Sequence, residues 1–172
     1  REEYLAMLDW SLGYKAHPVA IRVPAGPTVP ATRQVQTDYS DLDRYEVVER
    51  GKDVAMFALG SFFSLGERVC RLLEAQGIRA TLVNPRYISG IDTRLLDSLA
   101  TDHRLAVTLE DGVLDGGFGE KIARHYGPSE VKTLCYGAKK QFVDRFLPKE
   151  FLAANRLVDT LIAADILCML KR

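Results

Sequence analysis

The chain has no surplus of charge: twenty-three basic side chains meet twenty-three acidic ones. No whole-chain field draws it to nucleic acid or to an anionic membrane, and neither is expected as a partner. Cysteine is scarce. Cys70, Cys135 and Cys168 form no Cys-x-x-Cys pair and have no histidine at ligand spacing, which excludes a disulfide framework and a zinc ribbon. Reduced, mostly buried thiols of a cytoplasmic protein are expected. No apolar run reaches the ~20 residues that a spanning helix needs. The last one, over residues 157–170, is interrupted by Asp159 and Asp165 and reads as a docked helix. Also missing are the lysine of a phosphate loop, the glycine spacing of a dinucleotide site, and a Gly-x-Ser-x-Gly elbow around Ser61. The sequence does not open on an initiator methionine and its first residues show no signal sequence, yet Leu5, Leu8 and Leu12 already recur at helical spacing. A chain that starts inside an element is expected from this.

What is present suits one main globular domain. Of 172 residues, 47% are hydrophobic and 27% charged, enough to bury a core without staples. Residues 18–23 (PVAIRV) have the β-branched run of a buried strand, and residues 24–43, rich in proline, threonine and acids, read as an interdomain connection. From Tyr45 onward strands and helices alternate. The reading is strand 45–49, turn 51–53, strand 54–59 closing a hairpin, helix to Gln76 stopped by Gly77, strand 80–83, helix 93–100 capped by Asp92, strand 105–109, helix 118–126 and strand 131–135. This predicts an α/β fold, three layers α/β/α around a mostly parallel, mixed sheet. Ligands of such sheets gather beyond the carboxyl ends of the strands.

At that edge the segment EDGVLDGGFG, residues 110–119, leaves a strand and enters a helix with four glycines and three acids. Gly116, Gly117 and Gly119 are candidates for an anion-binding turn, because exposed amides at a helix start attract anions. The competing and favoured reading is a packing turn, with Glu110, Asp111 and Asp115 as solvated loop acids and capping groups. No metal site is expected, since their spacing fits no calcium loop. Arg86, just past a strand, is a candidate for holding a carboxylate or phosphate, against a structural ion pair, for instance with Asp92. His17, His103 and His125 sit apart, none with an adjacent nucleophile, and structural roles are expected of them.

Five segments together, HPVAIRVPAG, DVAMFALGSF, GIRATLVNPRYISGID, LLDSLATDHRLAVTLEDGVLDGGFGE and FLAANRLVDTLIAADIL, resemble the 1-deoxy-D-xylulose-5-phosphate synthases among the transketolase-like thiamine-diphosphate enzymes. The resemblance implies that residues 1–25 are the tail of a pyrimidine-binding domain, 26–43 a linker and 44–172 a transketolase C-terminal domain. It implies a parent enzyme that transfers an acyl unit from pyruvate to an aldehyde acceptor and serves isoprenoid biosynthesis. Thiamine diphosphate and Mg2+ would sit in upstream domains, and this chain would hold no cofactor and no catalytic residue. The implied partners are those upstream domains, a small-molecule substrate and a second copy in a homodimer.

The resemblance also places Arg22 and Arg86 on the substrate side. The family has Tyr-Pro-Arg-Gly, with a phosphate-binding arginine, where this chain reads Val23-Pro24-Ala25-Gly26. Loss of one such charge-assisted contact costs roughly 1.5–3 kcal/mol, so a different acceptor is expected. A second departure is the run from Ala138 to Phe146, which lacks the family's Pro-Asp and His-Gly pairs. The alternatives are another transketolase-like enzyme, the β-subunit of a 2-oxo acid dehydrogenase, or a non-catalytic assembly or anion-binding module.

Overall fold

The computed structural model describes residues 1–23, 28–31, 33–145 and 147–171. They fall into two compact units, Arg1–Leu42 and Asp43–Arg172. In the first, helix α1 (Glu2–Gly13) is followed, among the described residues, by chain without helix or strand. Glu2 accepts the amide of Ala31 at 2.6 Å, and that bond above all holds its carboxyl at about 2. Trp10 stacks on Tyr14 at 4.7 Å and meets the edge of Tyr39 at 6.0 Å.

The helical spacing at the start of the chain is therefore real, but Leu5, Leu8 and Leu12 remain exposed. Residues 18–23 correct the expectation of a buried strand. They form no ladder, and Val19 and Val23 are exposed. A β-branched run becomes a strand only when another backbone pairs with it. Ala25 lies outside the described residues.

The second unit is built on a five-stranded sheet in the order β1-β3-β2-β4-β5. Its strands are β1 (Glu46–Glu49), β2 (Asp53–Ala58), β3 (Thr81–Asn84), β4 (His103–Val113) and β5 (Lys132–Ala138). β2, β3, β4 and β5 run parallel, and β1 is antiparallel to β3. The expected hairpin of β1 with β2 is thus overturned, because β3 lies between them. The turn near Gly51 carries the chain across the start of β3. The amide of Gly51 donates to Thr81 Oγ1 at 2.9 Å and that of Lys52 to the Arg79 carbonyl at 2.9 Å. A Cβ on Gly51 would run into that carbonyl, so the crossing needs glycine at this position.

Alternation along β2 explains the three layers. Val54, Met56 and Ala58 face α2 (Phe63–Glu74) and α6 (Asp159–Leu170), joining Leu65, Val69, Leu73, Ile162 and Ile166. Ala55, Phe57 and Leu59 point the other way, toward Leu96 and Leu99 of α3 (Thr93–Leu99) and Phe118, Ile122 and Tyr126 of α4 (Phe118–Tyr126). A strand covered on both faces reads as one continuous apolar run. Burying a side chain such as Phe57 completely contributes about 1.5–3 kcal/mol.

α2 ends where Gly77 takes φ 79°, and the amides of Gly77 and Ile78 donate to the carbonyls of Glu74 and Leu73. Helix α5 (Pro148–Ala154), which the sequence reading did not separate, starts at a proline, a residue suited to the first helical turn. No helix among the described residues is long and apolar enough to cross a membrane.

Candidate functional site

The parallel strands end at one edge, where β4, with Glu110 near its end, feeds the turn 114–117. Glu110 is only 4% exposed, and a carboxylate so placed needs strong partners. It finds them at the start of α4: Oε2 accepts the amide of Phe118 at 2.8 Å and Oε1 that of Gly119 at 2.8 Å. These amides are donors that the helix itself leaves unsatisfied, at the positive end of its dipole. The turn therefore already holds an anion, and it is the protein's own.

The glycines fit around that carboxylate. A Cβ on Gly117 would run into Glu110, and one on Gly119 would lie 2.6 Å from Thr108 Oγ1 and 3.0 Å from Cys135 Sγ. Gly116 adopts φ 74°, and its amide donates to Glu120 at 2.9 Å. An external anion at Gly116, Gly117 and Gly119 would have to displace Glu110 from two amides. Of the three acids read as solvated loop acids and capping groups, Glu110 does cap a helix start, but from a buried position. Asp111 and Asp115 are exposed, and Asp111 accepts from Ser61 Oγ at 3.2 Å.

The neighbouring loop after β3 is held just as closely. Arg86, in a left-handed conformation at φ 62°, donates to the carbonyl of Arg44 at 2.9 Å and lies 5.9 Å from the Tyr87 ring centre. Asp92 caps α3 by accepting the Leu95 amide at 3.1 Å. It also accepts the Tyr45 amide at 3.1 Å and pairs with Arg44 at 3.2 Å. The ion-pair partner seen for Asp92 is Arg44. Lys121, from α4, donates to the Ile88 carbonyl at 2.5 Å. Further round the edge, Arg156 places its guanidinium 2.7 Å from both oxygens of Asp165, which also accepts the Tyr136 hydroxyl at 2.9 Å. The bonds to Arg156 hold the Asp165 carboxyl below the usual carboxylate range. Arg22 is exposed in the first unit.

The opposite edge holds a constellation that the sequence reading missed. His103, buried at the start of β4, lies 2.7 Å from Thr81 Oγ1 through Nε2, and 2.6 Å from Asp102 and 3.0 Å from the Leu99 carbonyl through Nδ1. Two acceptors at Nδ1 require the proton there, so in a neutral ring Nε2 accepts from the Thr81 hydroxyl. The row of hydroxyl, imidazole and carboxylate has the order of a nucleophilic triad. Thr81 is fully buried, however, and also accepts the Gly51 amide, so no substrate reaches it and the row is structural. Asp102 and His103 are sequence neighbours, and only the sheet register adds Thr81. His125 pairs separately with Asp97 at 2.9 Å. Burial pushes the Cys70 thiol up to about 12 and raises Cys135 as well, so neither is a ready nucleophile. Among the described residues, no group of His, Cys, Asp or Glu is placed to hold a metal ion.

Residues 43–138 match the family described as the transketolase C-terminal domain. The chain is 37% identical over 116 residues to the 1-deoxy-D-xylulose-5-phosphate synthase of Heliobacterium modesticaldum, a match covering 67% of this chain and 18% of that protein. With the synthase of Acaryochloris marina it shares 31% identity over 176 residues, covering 99% of this chain and 27% of the relative. The chain thus spans roughly a fifth to a quarter of these relatives. A solved structure described as a split-gene transketolase, an inactive β4 tetramer, superposes with a TM-score of 0.69 at 26% identity. That match covers 81% of this chain and 45% of the other.

Proposed function

This chain belongs to the transketolase C-terminal domain family, and from that premise we propose that it serves a 1-deoxy-D-xylulose-5-phosphate synthase-like enzyme of the cytoplasm. The parent would transfer a two-carbon acyl unit from pyruvate to an aldehyde. The observation that carries this reading is the match to synthases along nearly the whole chain. The described residues do not themselves fit the cofactor. The amides of Phe118 and Gly119 are engaged by Glu110, and no metal cluster exists among the described residues. Thiamine diphosphate and Mg2+ are proposed to sit in other domains of the parent, where the cofactor would supply the carbanion chemistry.

The contribution of this chain is architectural. Glu110, Asp92 and Lys121 fix the loops of the carboxyl edge from within, giving neighbouring domains or a second copy a rigid face. Arg22 and Arg86 are proposed to lie toward the acceptor side, residues 1–25 to continue an upstream domain, and residues 26–43 to link it to this one. The likeness to an inactive tetramer supports self-association without activity. Ala25, in place of the family's arginine, favours an acceptor other than glyceraldehyde 3-phosphate.

The test is pyruvate decarboxylation with thiamine diphosphate and Mg2+ present. Turnover is expected from the parent enzyme and none from these 172 residues alone. Turnover by the isolated chain would sink the architectural reading. Family-typical use of glyceraldehyde 3-phosphate by the parent would remove the altered acceptor.

A further inference from the structure

Two open depressions lie at the amino ends of the parallel strands, away from the carboxyl edge. One is a groove lined by Arg50, Lys52, Arg79 and Arg104, by Asp53 and Asp102, and by the apolar side chains of Ile78 and Leu170. Its ion pairs consume only part of this charge. Arg50 pairs with Asp102 at 3.3 Å and Arg104 with Asp53 at 3.2 Å. Both carboxylates are thereby neutralised, and among the described residues Lys52 and Arg79 are left as a surplus of two positive charges in the groove.

The backbone sets these two residues side by side, since the Lys52 amide donates to the Arg79 carbonyl at 2.9 Å. Gly51 allows that approach, because a Cβ there would overlap the same carbonyl. Helix ends cannot account for the surplus. α2 ends beside the groove, but its last carbonyls already accept the amides of Gln76, Gly77 and Ile78.

We infer that this groove is a binding site for a small phosphate-bearing anion, held between Lys52 and Arg79 with any apolar part over Ile78 and Leu170. The chemistry matches on both sides: a forked guanidinium takes two phosphate oxygens, and an ammonium takes another as a point charge. Because the two cations are exposed, affinity near millimolar is expected, weakening with salt. The inference does not depend on the acyl-transfer reading, as none of these residues belongs to the carboxyl edge.

The experiment is a backbone-amide NMR titration of the chain at low ionic strength, with inorganic phosphate and with phenyl phosphate as probes. Saturable shifts are expected at Gly51, Lys52 and Arg79. Binding should be about ten-fold weaker in Lys52→Gln/Arg79→Gln and unchanged in Lys149→Gln, which removes a charge from α5. Tighter binding of phenyl phosphate would identify a phosphate ester as the occupant, and equal binding free phosphate. Absence of saturable shifts with both probes, or equal affinity in the double variant, would overturn the proposal.

Discussion

The two edges of the sheet treat charge differently. At the carboxyl edge nearly every charged group that matters is turned inward: Glu110 onto two helix amides, Asp92 onto two amides and a guanidinium, Lys121 onto a loop carbonyl. At the amino edge one row, Thr81, His103 and Asp102, is equally internal, but Lys52 and Arg79 remain over. The same residue types therefore serve architecture where partners are built in and ligand capture where they are not.

Glu110→Ala attacks the strongest element of this contrast. It removes a charged acceptor and leaves two amides unpaired, so unfolding free energy should fall by about 3 kcal/mol. Urea denaturation measures this, and a loss below about 1 kcal/mol would mean that water or another acceptor caps α4. His103→Phe asks the same of the amino edge. Strand packing is kept while the Thr81 hydroxyl and Leu99 carbonyl lose their ring partner, and about 2 kcal/mol should be lost. A negligible cost would show that this row does not hold the amino edge together as Glu110 holds the other.

The smallest effect belongs to the pair of Asp165 with Arg156. Its carboxyl titrates below its unfolded value, so the stabilisation is complete above about pH 4 and drains away as the pH falls through the folded-state value. With both side chains partly exposed, the gain is below about 1 kcal/mol. Asp165→Asn should flatten that acid limb by the same small amount in stability measured from pH 6 down to pH 2. An unchanged limb would assign acid sensitivity elsewhere.

Some of this was legible in residues alone. The run 54–59 announced a strand buried on both faces, the spacing of residues 118–126 gave a helix with the observed bounds, and Gly77 marked a helix end in a left-handed turn. Asp92 was readable as a cap. The hairpin misreading shows where periodicity stops. Alternation says that β1 and β2 are strands, yet the insertion of β3 between them is decided by long-range pairing. Residues 18–23 failed for the related reason that propensity cannot supply a ladder partner.

The candidate site divides the same way. The glycine-rich turn was visible, but a carboxylate eight and nine residues before two helix amides is as compatible with solvent as with burial until the turn closes. Thr81 and His103, far apart along the chain, carry no local signal of their bond. By itself the sequence determined the alternation of elements, the layer class and the resemblance to a family, because these follow from local periodicity and from residue order. The tertiary structure alone decided strand order, the internal anion at α4 and the surplus of cations beside Gly51, because each depends on which distant groups meet and neutralise one another.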